Sequence, residues 1–231
     1  MPGLPRWFLL LVLVPGLALA HDLWLDRDGD LLTLEYGHRG AGHEGPTRVP
    51  YTPQHVRRVL CADGEGREAV AEVGREYPVT VRGSCAVTYV LTSSGYWSKT
   101  PYGTRNQPRD ELQQVIDSWL SYEGVKRVDD WGQALGQALT EDLELVPLEN
   151  PLALAPGDKL HLRVTFKGQP RAGVVVAYDG KPRGESGADG LVNVRLRERG
   201  PQLIQASFSE PLGSPKADRA VHATALVFDL P

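Results

Sequence analysis

His21-Asp-Leu-Trp-Leu-Asp-Arg-Asp-Gly-Asp-Leu-Leu-Thr-Leu-Glu-Tyr36 holds two alternating apolar and polar runs separated by an Asp-Gly pair. Successive strand side chains point to opposite faces, so such runs read as half-buried strands. Asp28-Gly29 reads as the turn of a hairpin, because a tight two-residue loop needs residues that tolerate positive φ. A turn centred there pairs residues whose numbers sum to about 57. That register sets His21 near Tyr36, with His38 two residues further along the same face.

The same pattern runs through the rest of the chain. Val56 to Leu60, Glu68 to Val73, Tyr77 to Val81 and Cys85 to Thr92 read as short strands, punctuated by Gly64, Gly66 and Gly83. Many short strands between glycine and proline turns indicate a mainly β protein of sandwich or barrel type. Leu112, Val115, Ile116, Trp119 and Leu120 have helical spacing, which predicts a helical insertion within 109–139. Leu143 to Pro156 carries three prolines and reads as an extended linker over 143–156. Alternation returns from Lys159, with further strands at Val174 to Tyr178, Leu191 to Leu196, Leu203 to Phe208 and Ala223 to Phe228. The expected organisation is an N-terminal β-sandwich over 21–142 and a smaller immunoglobulin- or transthyretin-like sandwich over 157–231.

Residues 1–20 have the pattern of a secretory signal: Arg6, an apolar run from Trp7 to Val14, and Ala18-Leu19-Ala20 as a small-x-small cleavage site. The run is shorter than the roughly 20 residues of a membrane span, and no later stretch qualifies. An exported protein, periplasmic in a bacterium, is expected, cleaved after Ala20 and without a membrane span. The chain has 25 Lys and Arg against 29 Asp and Glu, a net charge of −4. Loss of Arg6 with the leader makes that balance one unit more negative. No basic stripe suggests nucleic acid as a partner. Cys61 and Cys85 are the two cysteines, and an even count in an exported chain favours a disulfide over a pair of metal thiolates.

Cleavage after Ala20 exposes the α-amine of His21 beside its imidazole, two nitrogens able to chelate one ion. His38 and His43 lie in the segment that contains Gly37, Gly40, Gly42 and Gly45, whose glycines allow a tight return. His21, His38 and His43 are therefore the candidate metal ligands, with Asp22, Glu35, Glu44 and His55 as surrounding candidates. Nitrogen-rich donors suit nickel, cobalt, copper or zinc. His161 alternates with the apolar face of its strand and should face solvent, and His222 reads as structural or exposed. Tyr96, Trp97 and Lys99 form an aromatic cluster best explained by packing, as are Trp24 and Trp119. No nucleophile elbow, phosphate loop or dinucleotide fingerprint occurs, so no enzyme chemistry is indicated.

The His-Asp-Leu-Trp-Leu start, the Gly-His loop, Tyr96-Trp-Ser-Lys-Thr-Pro101 and Leu143-Glu-Leu-Val-Pro-Leu-Glu-Asn-Pro151 resemble segments of a known family. Pro156-Gly-Asp158, Lys167-Gly-Gln-Pro-Arg-Ala-Gly173 and Ser186-Gly-Ala-Asp-Gly190 do so as well. The family is an exported one, carrying a domain of unknown function and described as the periplasmic component of cobalt/nickel transport systems of the ABC or ECF type. The resemblance implies a non-enzymatic accessory that binds nickel or cobalt and serves a membrane permease. His21 carries over as the processed terminal histidine and His38 as that of the Gly-His loop, with His43 matching less closely. Two other readings remain open at this point. One is a histidine-brace copper protein, either chaperone or oxidase; the other is a β-sandwich interaction module whose histidines are incidental.

Overall fold

A computed structural model describes residues 22–39 and 47–231. The N-terminal hairpin is β1 (Asp22–Asp28) and β2 (Leu31–Gly37). It is followed by β3 (Val56–Ala62), β4 (Glu72–Gly74), β5 (Thr80–Arg82), β6 (Val87–Thr100), β7 (Gly103–Arg105) and β8 (Asp117–Val128). Next come β9 (Glu144–Pro147), β10 (Lys159–Phe166), β11 (Gln169–Pro170) and β12 (Val175–Tyr178). The chain closes with β13 (Lys181–Glu185), β14 (Leu191–Arg195), β15 (Gly200–Ser214) and β16 (Ala217–Leu230).

These strands make three sheets. The largest has the order β13-β12-β15-β16-β8-β6-β3, with β7 paired to β6. Within it β8 and β16 run parallel, and the other pairs are antiparallel. A second sheet has the order β1-β2-β5-β4, and a third joins β9, β10, β11 and β14. Alternation along β16 shows how they stack. Leu226 and Phe228 belong to the core shared with the third sheet, whereas Ala225 and Val227 belong to the core shared with the β1–β2 sheet. The large sheet is thus a middle layer, apolar on both faces, with a smaller sheet on each side.

The middle sheet draws β3, β6 and β8 from before residue 143 and β12, β13, β15 and β16 from after residue 157. Glu144–Pro147, within the proline-rich stretch read as linker, is a buried strand on β10. Pro147 ends β9 opposite Leu162, and the next bond to β10 is made by the Leu148 N–H to the His161 carbonyl (3.0 Å).

The expected helical insertion within 109–139 is not there. Arg109–Glu111 and Gln133–Gly136 are single 3-10 turns, and the segment between them is mostly β8. Ile116, on the supposed apolar face, is 63% exposed. The 3.6-residue spacing was coincidental: β8 lies between β6 and β16 and carries large side chains on both faces, which blurs a period of two. Gly124 marks the strand, since a Cβ there would come 2.6 Å from the Tyr89 hydroxyl.

The hairpin forms, in a register two residues from the expected one. Asp22 pairs with Gly37 and Asp28 with Leu31, so paired numbers sum to 59 rather than 57, and Tyr36 faces Leu23. The central turn residues are Gly29 and Asp30. Gly29 has φ +62 and Asp30 does not share a positive φ, which fits a II′ turn with glycine first. A shift of two keeps each side chain on its expected face.

Cys61 and Cys85 form the expected disulfide, with an S–S distance of 2.06 Å. Both cysteines of the chain are thereby used, which removes the thiolate alternative. Among the described residues no helix is long and apolar enough to cross a membrane.

Candidate functional site

The open end of the hairpin is where the expected ligands converge in sequence, and the described residues there are tightly held. Gly37 has φ +152, and a Cβ on it would lie 2.3 Å from the Thr47 carbonyl oxygen. Only glycine lets β2 approach Thr47 and Arg48 so closely. The His38 N–H donates to that Thr47 carbonyl (3.0 Å), and the Val49 N–H donates to Tyr36 (2.7 Å). The two ends of the glycine-rich segment are therefore clasped together at His38.

A second clamp acts on the other strand. Asp22 sits opposite Gly37, and its carboxylate accepts the Arg39 N–H (3.0 Å) and the Gln205 amide (2.9 Å). Gln205 comes from β15 of the middle sheet and is buried. The residue next to position 21 is thus fixed beside the residue next to His38 and tied to the middle layer. Asp22 serves as this anchor. Glu35 is occupied otherwise: it pairs with Arg48 at 3.0 Å, and Arg48 also reaches Asp26 at 3.0 Å. Burial nevertheless raises the Glu35 carboxyl above its ordinary value, outweighing Arg48.

His55 ends the 3-10 turn Pro53–His55, and burial and then Arg57 hold its imidazole below the ordinary histidine value. Among the described residues no group of three His, Cys, Asp or Glu is close enough to hold an ion. His21, His43 and Glu44 lie outside the described residues. The structure therefore places His38, Asp22, Glu35 and His55, and joins Asp22 to the His38 end while Glu35 goes to Arg48.

Three participants at this end had no functional reading in the sequence. Glu123 of β8, across from Thr92 and Ala223, has its carboxyl pushed up to about 7 by burial alone. Tyr36 is close enough to feel its charge: burial and then Glu123 push the phenol up to about 12. Protonation of Glu123 favours the folded state, so its contribution is full below the unfolded carboxylate range and fades as pH rises through 7. Arg39 is the third. Burial lowers its pKa, Arg127 adds to that, and Asp26, Asp229 and Asp22 act against it. A lone acid between Tyr122 and Gly124 was the available signal for Glu123, hidden by the helical reading of that stretch.

The remaining histidines and aromatics are placed as follows. His161 is exposed as expected and pairs with Glu149 at 2.9 Å. His222 is half-buried between Tyr122 (5.4 Å) and Phe208 (5.1 Å), both stacked on it. Burial holds its pKa below the ordinary value. Trp24 is core. Trp97 and Trp119 face one another across β6 and β8 outside both core clusters, and Arg219 lies over Trp119.

Residues 18–210 match the family described as a domain of unknown function, DUF4198. The chain belongs to this family. The match covers the hairpin, the His38 clasp, Glu123 and most of the middle sheet, so the site lies within the DUF4198 region. The chain has no match among curated proteins.

Proposed function

We propose that this DUF4198 protein is an exported, non-enzymatic carrier that captures a divalent ion, nickel or cobalt, and passes it to a membrane permease. The donors in this reading are the α-amine and imidazole of His21, freed by cleavage after Ala20, with His38 and His43. The double clamp at the hairpin's open end is the observation that carries the reading. Asp22 is held opposite Gly37 and bonded to Arg39, so the residue that follows position 21 and the residue that follows His38 share one corner of the fold. Imidazole and amine nitrogens suit late first-row ions. The disulfide fits an oxidising compartment, where such a carrier would work.

Release in this reading falls to His21, ahead of the clamped Asp22, because a ligand at a chain start can fray away from the ion. The α-amine must lose a proton to bind, and its ordinary pKa is about 7.7–8.0. Affinity should accordingly fall as pH drops below neutrality.

Substitution of His38 tests the reading. Calorimetric titration of the processed protein with nickel should show one site, and His38→Ala should weaken it by at least about tenfold, since even residues that only orient a ligand are worth that much. Unchanged affinity in His38→Ala removes His38 from the donor set.

A further inference from the structure

The outward face of the third sheet carries a feature independent of the histidines. Alternation turns Lys159 of β10 and Asn193 and Arg195 of β14 to solvent, while Leu160, Leu162, Val192 and Val194 fill the core. Lys159 stands directly opposite Arg195 in the register. Like charges so placed destabilise a sheet. Arg183, from the irregular stretch of β13, and Arg197, just beyond β14, complete a pocket of about 220 Å³. Its lining is Lys159, Arg183, Asn193, Arg195 and Arg197, four cations and an amide with no carboxylate.

This grouping contrasts with several paired cations elsewhere in the molecule. The chain carries more acidic than basic residues. Arg58, Arg109, Lys126, Arg127 and Arg219 each face a carboxylate. Among the described residues, none of the four pocket cations forms an ion pair. Arg195 is anchored by donating from Nη1 to the Gly157 carbonyl. The Arg183 guanidinium lies 5.8 Å from the centre of the Tyr178 ring, and its Nε and Nη2 are shielded from solvent with no hydrogen-bond partner. Shielded N–H groups without an acceptor are costly. Asp179 and Glu198 are near the Tyr178 hydroxyl, on which Arg197 acts in the opposite sense, but neither lines the pocket.

We infer that this pocket is an oxyanion site that takes a phosphate group. A guanidinium offers a planar fork of donors that matches phosphate oxygens, and an ammonium adds a point charge. Arg183 and Arg195 supply the forks, Lys159 and Arg197 supply charge, and the Asn193 amide supplies a neutral donor. Inorganic phosphate and the headgroup of an anionic lipid present the same oxygens. A headgroup would hold this face of the protein against a bilayer. The site stands whether or not the protein carries a metal.

Two probes separate the sources. Inorganic phosphate is titrated into the processed protein while amide shifts are followed by NMR. Co-sedimentation is measured with phosphatidylcholine vesicles that contain or lack phosphatidylglycerol. Saturable shifts in β10, β13 and β14, or binding that requires phosphatidylglycerol, is the expected result. Either response should weaken by about tenfold or more in R183Q/R195Q and fade with added salt. Lys159→Gln changes an exposed residue and should weaken the same response with the unfolding midpoint unchanged. No saturable response to either probe overturns the inference, as does a response that both R183Q/R195Q and Lys159→Gln leave intact.

Discussion

Lys126→Met should cost the fold about 3–5 kcal/mol, read as a fall in the free energy of urea unfolding. Lys126 and Glu144 pair in the interior, with side-chain exposures of 2% and 0%. Glu144 also accepts the Thr140 N–H (3.0 Å) and the Thr140 hydroxyl (2.9 Å). The pair joins β8 of the middle sheet to β9 of the third sheet, so it sits between two layers. Removing the ammonium leaves a buried carboxylate with only neutral donors, and it is this uncompensated charge that destabilises. Removing both charges together, as Lys126→Met with Glu144→Gln, should recover part of the loss. A single-variant cost below about 1 kcal/mol would contradict this account of the interior.

Cys61→Ala with Cys85→Ala should lower stability by about 3 kcal/mol, the chain-entropy value for a loop of this size. The two cysteines are 24 residues apart and enclose β4 and β5. β5 pairs with β2, so the closed loop holds up the sheet that carries the hairpin. Equilibrium unfolding of the double variant, or of the native protein with and without reductant, measures the effect. A loss under about 1 kcal/mol would show that packing alone holds this loop.

The hairpin was legible because its signal is local: alternation over seven residues on each side of a glycine turn. Its register was not, because Gly29 can occupy either central turn position, and the first one places every pair two residues further along. The C-terminal strands were legible for the same local reason. β8 was misread because both its faces are covered, so apolar and aromatic residues fall at helix-like intervals. β9 was hidden by the prolines of the stretch around it and by the charge of Glu144, whose partner is 18 positions away at Lys126. Burial of Glu123 and the Gln205 anchor on Asp22 are long-range facts that no local window contains. The pocket of Lys159, Arg183, Asn193, Arg195 and Arg197 likewise exists only once β13 and β14 are folded side by side.

Metal capture by the processed chain start is the central claim, and native mass spectrometry of the exported protein tests it most directly. Protein that begins at His21 should bind one nickel ion, and a version with one extra alanine before His21 should bind none at the same concentration, because the amine is displaced from chelating reach. Equal nickel occupancy in the two forms, or an exported product that begins at another residue, would contradict the claim.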